Sequence, residues 1–578
     1  MTKYVLGLCT MNNSSAALFS GNKLIAAVEE ERLTRIKNDG SFPILSIKEV
    51  LSIANIEISD VDQICVYWDR LRLTTRIFET LKKMVKDPSK AINLLRRIMD
   101  LFINNSANHG SASGWSDLFK INKIINKNFG KFTGKISYID HHLTHQLYAE
   151  SMRDWNAFVS LSYDGGGEEY STVLSVVKDG KKSILSRHKW PNSLGHFYAT
   201  FTGFLGFKML EGEYKMMGLA PYGKPKYKNL ILEKILLLKS HGRYELNTTV
   251  CDYHAALVDS FSSEMKLLFG EPRKKEENPS QHHIDLAASV QAAFEDALVH
   301  ILSPVTLVHP SIRKLVISGG CALNVTANGK LLSSKMFDQI IIPPAPHDAG
   351  CAVGACLAVL DKVNYESIRS PYLGRNYSDD EIKAAISDKC VKEMNPLNRE
   401  ELVSSTATLL ANKKIIAWFQ GGAEFGPRAL GNRSYLADPR DDKIRDEINK
   451  KIKKRELFRP FAPSVTSEDA NSFFSISQDS PYMNIVSEVK NDLVPAITHI
   501  DNTARIHTVT EESNCLYYDL IKEFGRITGV PVLLNTSLNI QEPIVYSPVD
   551  AIKTFINSGV DALVIGSFIV TRKDLKKS

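Results

Sequence analysis

Short apolar runs alternate with amphipathic segments along much of the chain, a pattern that is typical of α/β proteins. Residues 4–9 and 23–29 are apolar runs, and turn residues at 20–22 come just before the second run. This pattern predicts two strands paired as a β-hairpin. A helix is predicted over 44–54 and the next strand over 63–67.

The same order of elements returns later in the chain. Further elements are predicted as strands at 136–139, 157–163, 171–178, 314–318 and 339–342, and as helices at 286–302 and 350–360. A hairpin-then-helix scheme therefore occurs twice, around 4–67 and around 157–360. Two such α/β halves predict the duplicated fold of sugar kinases, actin and heat-shock ATPases.

A turn-rich segment at 365–374 follows the last helix of that pattern and predicts a domain boundary near 370. The first domain, 1–370, is expected to carry a basic, helical insertion at about 70–130. The second domain, 371–578, is expected to be a smaller α/β domain. Its predicted elements are helices at 401–412 and 443–453 and strands at 414–418 and 531–534.

The composition indicates a soluble, multidomain protein. A chain of 578 residues exceeds one ordinary hydrophobic core, and 43% hydrophobic with 24% charged residues is usual for globular proteins. The net charge of +6 is small for this length. A basic run at 82–97 has no interleaved aromatic residues, so it favours a solvated helix face over a nucleic-acid site. No nucleic-acid partner is expected.

The chain begins with a predicted strand rather than a signal peptide, and no apolar run approaches the roughly 18 residues that span a bilayer. Its eight cysteines form no CxxC pair, so neither a zinc knuckle nor a disulfide framework is indicated. These features predict a reduced, cytoplasmic protein without a membrane partner. A homodimer is a possible state, because dimers are common among soluble enzymes.

Two histidines, His141 and His145, follow a predicted strand and are four residues apart. On a helix they project from one face and can bind one metal ion. Asp164 and Asp348 each follow another predicted strand, at the end where α/β proteins place ligands. His141, His145 and Asp348 would make a two-histidine, one-carboxylate site suited to iron, manganese or zinc.

Two glycine loops accompany these residues, at 165–167 and at Gly319 and Gly320. Glycine allows close approach of the backbone, and the amides of such a loop can hold a phosphate. Neither loop is a Walker loop or a dinucleotide fingerprint, and each alone is more often a plain turn. They support a phosphate site only together with the acidic and histidine residues.

The second domain contains a glycine-broken loop at 420–434 with two arginines, Arg428 and Arg433. Further cations, amides and hydroxyls follow at Asn449, Lys453, Arg455, Arg459, Arg505, Asn535 and Ser537. Several fixed cations beside amides and hydroxyls suit a phosphate dianion and a nucleotide. A solvated basic surface is the alternative, but the neighbouring Gly, Pro and Phe residues favour ordered loops.

With these motifs, the chain resembles the ATP-dependent carbamoyltransferases of antibiotic, toxin and nodulation-factor biosynthesis. The matching segments are 29–35, 141–145, 164–168, 193–195, 212–223, 319–330, 426–431, 459–464 and 534–537. The resemblance implies a first domain similar to the threonylcarbamoyl-transfer enzymes of tRNA modification. It implies a second domain similar to the synthases that make their carbamoyl-adenylate.

The resemblance also implies the reaction. Carbamoyl phosphate and ATP give carbamoyl-adenylate in the second domain, and the first domain passes the carbamoyl group to a hydroxyl of a small-molecule acceptor. ATP, accompanied by Mg²⁺, and Fe(II) in the first domain are the expected cofactors. Fe(II) would be bound by His141, His145 and Asp348, and Lys37, Asp164, Gly319, Gly320 and Asn324 would lie at the nucleotide of the first domain. Carbamoyl phosphate and the forming adenylate would be held by Arg428, Lys453, Arg455, Arg505, Asn535 and Ser537.

The candidate catalytic residues are Asp164, Lys37 and Asn12, and the last departs from the family pattern. In the family that the chain resembles, a histidine before a Ser-Ala-Ala-Leu segment is the expected base toward the acceptor, whereas this chain has Asn12. An amide cannot take a proton near neutral pH. Three alternatives remain open: an amine acceptor that needs no strong base, activation of a hydroxyl by Asp164, His196 or the metal, or a catalytically weakened scaffold that binds nucleotide.

Overall fold

The computed structural model describes residues 3–74, 76–78, 81, 114–252, 261–387, 389 and 395–575. The chain divides into two compact units. The first comprises Met1–Glu30 and Asn38–Arg369, and the second comprises Glu31–Lys37 and Ser370–Ser578. The short segment Glu31–Lys37 therefore groups with residues that lie far along the sequence.

The first unit contains a five-stranded sheet near the start of the chain. Its strands are β1 (Tyr4–Cys9), β2 (Ser15–Ser20), β3 (Lys23–Glu29), β4 (Val61–Val66) and β5 (Lys135–Tyr138). They lie in the order β3-β2-β1-β4-β5, with β1 to β3 antiparallel and β1, β4 and β5 parallel. The predicted pairing of 4–9 with 23–29 is wrong, because β2 lies between them. Since β2 is buried on both faces, it lacks the alternation that marks a strand in a sequence.

A second five-stranded sheet repeats this topology. The next strands in chain order are β6 (Ala157–Tyr163), β7 (Tyr170–Lys178), β8 (Lys181–Lys189), β9 (Leu236–Leu238), β10 (Tyr244–Leu246), β11 (Lys314–Ser318) and β12 (Gln339–Ile341). β9 and β10 form a small hairpin, and the others lie in the order β8-β7-β6-β11-β12. The antiparallel and parallel pairs match those of the first sheet. This repeat confirms the duplicated α/β fold.

Helices pack on these sheets. Up to residue 369 the described helices are α1 (Glu30–Thr34), α2 (Ile44–Ala54), α3 (Ile121–Phe129), α4 (His141–Glu150), α5 (Leu194–Phe204), α6 (Glu213–Leu219), α7 (Lys228–Lys234), α8 (Ser263–Phe269), α9 (Gln281–Val308), α10 (Val325–Ser333), α11 (Cys351–Leu357) and α12 (Tyr365–Arg369). Helix α4 contacts β6 and β11, α11 contacts β1 and β2, and the two helices contact each other. They approach so closely at Gly354 that a Cβ there would lie 1.9 Å from the Thr144 carbonyl oxygen.

The second unit is built on an eight-stranded mixed sheet. Its strands are β13 (Ile416–Phe419), β14 (Arg433–Ala437), β15 (Ala462–Thr466), β16 (Ile485–Glu488), β17 (Thr503–Val509), β18 (Val532–Ser537), β19 (Ala562–Ile565) and β20 (Phe568–Thr571). They lie in the order β16-β17-β15-β18-β14-β13-β19-β20. The helices are α13 (Asp379–Ser387), α14 (Arg399–Ala411), α15 (Lys443–Glu447), α16 (Ala470–Phe473), α17 (Cys515–Thr528) and α18 (Pro548–Ser558). The helix predicted over 443–453 is α15 followed by a π-helical turn, Ile448–Ile452.

Most of the insertion predicted at 70–130 lies outside the described residues, which resume at 114 with a 3₁₀ helix and α3. Helix α3 buries Ile121 and Ile125 and exposes lysines on its other face, as an amphipathic surface helix does. Among the described helices, none combines the length and the apolar character needed to cross a bilayer.

Candidate functional site

Two histidines point to one position at the start of α4. The helix begins directly after β5, where the Asp140 carboxylate accepts a hydrogen bond from the Leu143 amide at 2.9 Å. His141 and His145 are four residues apart, so their rings project from one face, and the ring centroids lie 4.6 Å apart. Both side chains are buried. The histidine pair predicted from the sequence therefore forms one converging set of nitrogens.

Two carboxylates reach the same position from the loops after β6 and β12. Oδ2 of Asp164 lies 3.2 Å from Nε2 of His141 and 3.3 Å from Nε2 of His145. Oδ1 of Asp348 lies 3.6 Å from Nε2 of His145 and 4.0 Å from Nε2 of His141. One ligand atom from each of the four residues lies within 4.8 Å of the others. This donor set of imidazole nitrogens and carboxylate oxygens fits iron, manganese or zinc.

The charges in this cluster also favour a bound cation. Burial acts to raise the pKa of Asp164, but the hydrogen bonds and charges of His141 and His145 lower that pKa well below its usual range. Burial acts to lower the pKa of His145, but Cys351, Asp164 and Asp348 outweigh it and raise that pKa. The cluster thus stabilises positive charge at its centre. A dication bound by neutral imidazoles would meet the same electrostatic requirement.

Cys351, which was not predicted from the sequence, lies beside this cluster. Its thiol and the ring nitrogens of His141 and His145 also lie within 4.8 Å of one another. The side chain is fully buried at the first residue of α11. Its position three residues after Asp348 is a signal that could have found it, because residues three apart on a helix share a face.

The glycines after β11 adjoin the carboxylates. The Gly320 amide donates to Oδ1 of Asp164 at 3.2 Å, and the Gly319 amide donates to the Pro346 carbonyl at 2.8 Å. Gly319 has a φ of +92°, and a Cβ there would lie 2.1 Å from the Tyr163 carbonyl oxygen. A side chain at 319 is therefore excluded on two grounds. The hydrogen bond from Gly320 therefore links the glycines that were predicted to bind phosphate directly to Asp164.

Asn324, the predicted nucleotide contact, caps α10. Its Oδ1 accepts from the Ala327 amide at 3.0 Å and from Nε2 of Gln291 at 2.9 Å. Its Nδ2 donates to Oε1 of Gln291 at 3.0 Å. This two-way amide pair with α9 fixes the orientation of Asn324. Its contact with a nucleotide stays a prediction.

Asn12 is exposed in the loop after β1. Its backbone amide donates to the Thr10 carbonyl at 3.1 Å, and its carbonyl accepts from the Cys9 thiol at 3.4 Å. Burial raises the pKa of the Cys9 thiol, and the charge of Asp348 raises it further. The end of β1 therefore lies near the carboxylate cluster. At position 12 itself, the side chain offers no group that titrates.

Lys453 is a buried cation of the second unit. Its Nζ donates to the carbonyl oxygen and side chain of Ser537, the latter at 3.2 Å, and to the carbonyl and Oδ1 of Asn539 at 2.9 and 2.7 Å. Burial, followed by the positive charges of Arg455 and Arg459, lowers its pKa well below the usual range. Asn539 carries two of these contacts and was not identified from the sequence.

Lys37 belongs to the same unit. The segment Glu31–Lys37 groups with the second unit, and the charge of Lys37 contributes to lowering the pKa of Lys453. The predicted contact of Lys37 with a nucleotide in the first domain stays a prediction. No sequence pattern links positions so far apart, so the neighbourhood of Lys37 emerges only from the folded chain.

Arg505, on β17, is surrounded by other arginines. Its buried Nε has no hydrogen-bond partner among the described residues. Burial lowers its pKa well below the usual range, and the charges of Arg428, Arg455 and Arg459 lower it further. Like charges this close repel one another unless an anion lies among them. Guanidinium groups are suited to phosphate, because they donate in pairs in one plane.

Asn535, on β18 of the second unit, has a side-chain oxygen that is available as a hydrogen-bond acceptor. Its Nδ2 donates to the Ala429 carbonyl at 3.1 Å and to Oγ of Ser464 at 2.9 Å. Its buried Oδ1 has no partner among the described residues. Oγ of Ser464 is hydrogen-bonded to Nδ1 of His507 at 2.8 Å, and burial lowers the pKa of His507 to about 3. The neutral His507 thus holds Ser464 and Asn535 in place, a second-layer contact that sequence reasoning missed.

The two arginines of the 420–434 loop differ in role. Arg433 is fully buried, lies 3.6 Å over the Phe419 ring and donates to the Gly421 carbonyl at 3.0 Å. Burial lowers its pKa to about 10. Arg433 therefore holds the loop, whereas Arg428 acts electrostatically on Arg505.

Family profiles and related proteins match this chain over both of its compact units. The family profile "Carbamoyltransferase N-terminus" matches residues 4–357, and "Carbamoyltransferase C-terminus" matches residues 407–572. The chain is 36% identical to nodulation protein NolNO of Sinorhizobium fredii, over 97% of this chain and 79% of that protein. It is 38% identical to nodulation protein NolO of Bradyrhizobium diazoefficiens, over 75% of this chain and 79% of that protein. The HypF structure from T. kodakarensis overlaps with a TM-score of 0.32 at 11% identity, covering 64% of this chain and 49% of that one.

Proposed function

The chain belongs to the carbamoyltransferase family, and we propose that it makes carbamoyl-adenylate from ATP and carbamoyl phosphate and transfers the carbamoyl group to a hydroxyl of a small-molecule acceptor. The main observation behind this proposal is that the two units contain clusters that favour ligands of opposite charge. The cluster around Asp164 in the first unit favours a cation. The cluster around Arg505 in the second unit favours an anion.

In the second unit, the arginines and Lys453 would bind carbamoyl phosphate and the phosphates of ATP. Carbamoyl phosphate is hydrolysed to carbamate and phosphate. A carbamate oxygen then attacks the α-phosphorus of ATP, the bond to the β-phosphate breaks, and pyrophosphate leaves. Arg505 and Arg428 would stabilise the charge that develops on the phosphoryl oxygens. The open Oδ1 of Asn535 suits an N–H of the carbamoyl group.

In the first unit, His141, His145 and Asp348 would hold Fe(II). When bound, the metal would polarise the carbamoyl carbonyl and offset the charge that appears as AMP leaves. The acceptor oxygen attacks the carbamoyl carbon, and the bond from that carbon to the phosphate oxygen breaks. Gly320 is held against this centre by its hydrogen bond to Asp164, so its loop would guide the adenylate phosphate toward the metal.

The acceptor's proton needs a destination other than Asn12. Asp164 is a weak base, because its pKa is lowered well below the usual range. For a hydroxyl acceptor, His196 is a better candidate for the base. Its Nε2 lies beside the glycine that follows Asp164, 3.4 Å from where a Cβ on Gly165 would lie. A second candidate function, N-carbamoylation, is favoured by Asn12 itself. An amine attacks in its neutral form and needs no strong base at this position.

The test separates the two half-reactions. We expect the protein, supplied with Fe(II), ATP and carbamoyl phosphate, to release pyrophosphate without an acceptor. Lys453→Met should abolish that release, whereas His141→Ala should retain it and lose only transfer. Arg526→Met is the matched control, because Arg526 is exposed and pairs with Glu523 at 2.8 Å. Wild-type protein that binds ATP but yields neither pyrophosphate nor carbamoyl-adenylate would be a scaffold and would refute the proposal.

The acceptor class needs a separate experiment. Asn12→His restores a titrating group, and we expect it to raise the rate with alcohol acceptors more than with amines. If both rates stay unchanged, the proton does not pass through position 12 and the argument from Asn12 fails.

A further inference from the structure

Cys351 occupies a position that the proposed histidine and carboxylate site does not use. It is the first residue of α11, one turn after Asp348, and its side chain is fully buried. Sγ of Cys351 and the ring nitrogens of His141 and His145 lie within 4.8 Å of one another. A thiol thus shares both histidines with the two carboxylates.

The backbone fixes this thiol in place. Helix α11 contacts α4 at Gly354, where a Cβ would lie 1.9 Å from the Thr144 carbonyl oxygen. One turn earlier, a Cβ on Gly350 would lie 2.0 Å from the Ala345 carbonyl oxygen. Because no side chains separate these segments, α11 has little freedom to rotate. Cys351 lies between the two contacts, so its direction toward His145 is set by the packing of the helices.

Another cysteine of the same helix provides a contrast. Cys356 is also fully buried, but its Sγ lies 3.6 Å from the Val5 carbonyl and 3.9 Å from the Ala17 carbonyl. It therefore packs on the strands of the first sheet, away from the imidazoles. The environment of Cys351 is specific to one side of α11, whereas a buried thiol in itself is not unusual.

We propose that Cys351 is a thiolate ligand of the metal centre, bound together with His141 and His145. On binding, the S–H bond breaks, sulfur forms a bond to the dication, and the proton leaves to solvent. Thiolate with two imidazoles selects borderline ions such as Fe²⁺, Zn²⁺ and Co²⁺ over Mg²⁺. The inference rests on a metal being bound at the proposed site, but it is independent of the reaction that follows. It places sulfur beside the two histidines, in a set separate from the one that contains Asp164 and Asp348.

The absorption spectrum of bound Co²⁺ reports on a thiolate ligand directly and requires no catalytic turnover. Metal-free, reduced protein is titrated with Co²⁺ while its absorption spectrum is recorded. A thiolate bound to Co²⁺ gives an intense near-ultraviolet charge-transfer band, which histidine and carboxylate ligands do not give. We expect the band in the wild type and in Cys356→Ser, and its loss in Cys351→Ser and in Cys351→Ala. Cobalt affinity should fall at least about tenfold in the Cys351 variants, as expected for a lost interaction at a metal site.

The outcomes separate this inference from the proposed function. If the wild type binds one Co²⁺ without the band, the ligands are histidine and carboxylate, and the inference is overturned while the metal centre stands. A band that survives in Cys351→Ser also overturns it. Absence of any Co²⁺ binding by the wild type would overturn both the ligand assignment and the metal centre. If the Cys351 variants fail to fold, a wild-type spectrum without the band still overturns the inference, and a band that is kept in Cys356→Ser still supports it.

Discussion

Replacing Gly354 by alanine should disable the proposed metal centre without changing any of its ligands. The added Cβ would lie 1.9 Å from the Thr144 carbonyl oxygen and 2.6 Å from its carbonyl carbon. Both atoms are backbone, so neither can rotate aside. An ordinary carbon–oxygen contact needs about 3.4 Å, so α11 must move from α4 by roughly 1.5 Å. Overpacking of this kind typically costs about 1–3 kcal/mol.

That displacement exceeds what metal coordination allows. Asp348 and Cys351 move with α11, whereas His141 and His145 stay on α4. The 3.6 Å between Nε2 of His145 and Oδ1 of Asp348 would widen to about 5 Å if the movement lies along that line. Two ligand atoms on one metal, each about 2.0–2.2 Å from it, cannot be more than about 4.4 Å apart. We expect the affinity for Fe(II) to fall by about 10- to 100-fold, as the loss of groups that support the ligands does at metal sites.

The assay measures metal content by mass spectrometry, metal affinity by competition with a chelator, and pyrophosphate release as a check on the second unit. Gly354→Ala should lose metal and transfer but keep pyrophosphate release. Gly180→Ala is the control, because it adds the same methyl group in open space, at a φ of +73°. Its left-handed backbone costs about 1–2 kcal/mol, and its metal content should be unchanged. If Gly354→Ala binds Fe(II) as tightly as the wild type, the reasoning from helix packing is refuted.

Two further predictions concern charge. Burial raises the pKa of Glu213 to about 7, so the folded state binds this proton more tightly than the unfolded state, and stability is lost as the pH rises from about 4.5 to 7. Glu213→Gln should therefore raise the free energy of unfolding at pH 8 by up to about 3 kcal/mol, and by less because the side chain is partly exposed. The melting temperature should rise with it at pH 8 and change little at pH 4.5. An equal gain at both pH values, or the same gain in Glu211→Gln, contradicts this. Arg505→Met should raise the melting temperature of the ligand-free protein, because it removes a buried like charge, and should abolish the stabilisation by phosphate, which is about 2.7 kcal/mol at 100 times Kd. Retained stabilisation by phosphate in Arg505→Met, or its loss in Arg526→Met, would show that the anion binds elsewhere.

The fold was predictable where local patterns were clear. The strand β11 and the helix α2 have the predicted bounds, because turn residues flank a run of the expected length. Strand β2 was missed, since Ser15–Ser20 is buried on both faces and rich in alanine, a weak strand former. Its position between β1 and β3 depends on pairing across the sheet, which no local pattern records.

In the candidate sites, too, local sequence patterns predicted some of the contacts, whereas contacts between distant segments were not predicted. His141 and His145 lie near each other along the chain, so helical spacing alone brings them together. Cys351 requires the close contact of α11 with α4, and the neighbourhood of Lys37 and Lys453 requires a segment to cross into another compact unit. Such non-local contacts follow from the fold as a whole. Of these contacts, only that of Cys351 has a sequence signal, which is its spacing from Asp348.

The two clusters also explain why each half-reaction should fail separately. Around Asp164, the hydrogen bonds and charges of the histidines lower the pKa of the carboxylate, the carboxylates help to raise the pKa of His145, and a dication would replace the proton of His145. Around Arg505, the charges of Arg428, Arg455 and Arg459 help to lower the pKa of Arg505, and a phosphate would relieve that repulsion. Each cluster therefore gains its ligand through its own charges and needs no contribution from the other. A variant that neutralises Arg505 should leave metal binding intact, and the loss of His141 should leave phosphate binding intact. The two sites would then be connected by the adenylate that one makes and the other consumes.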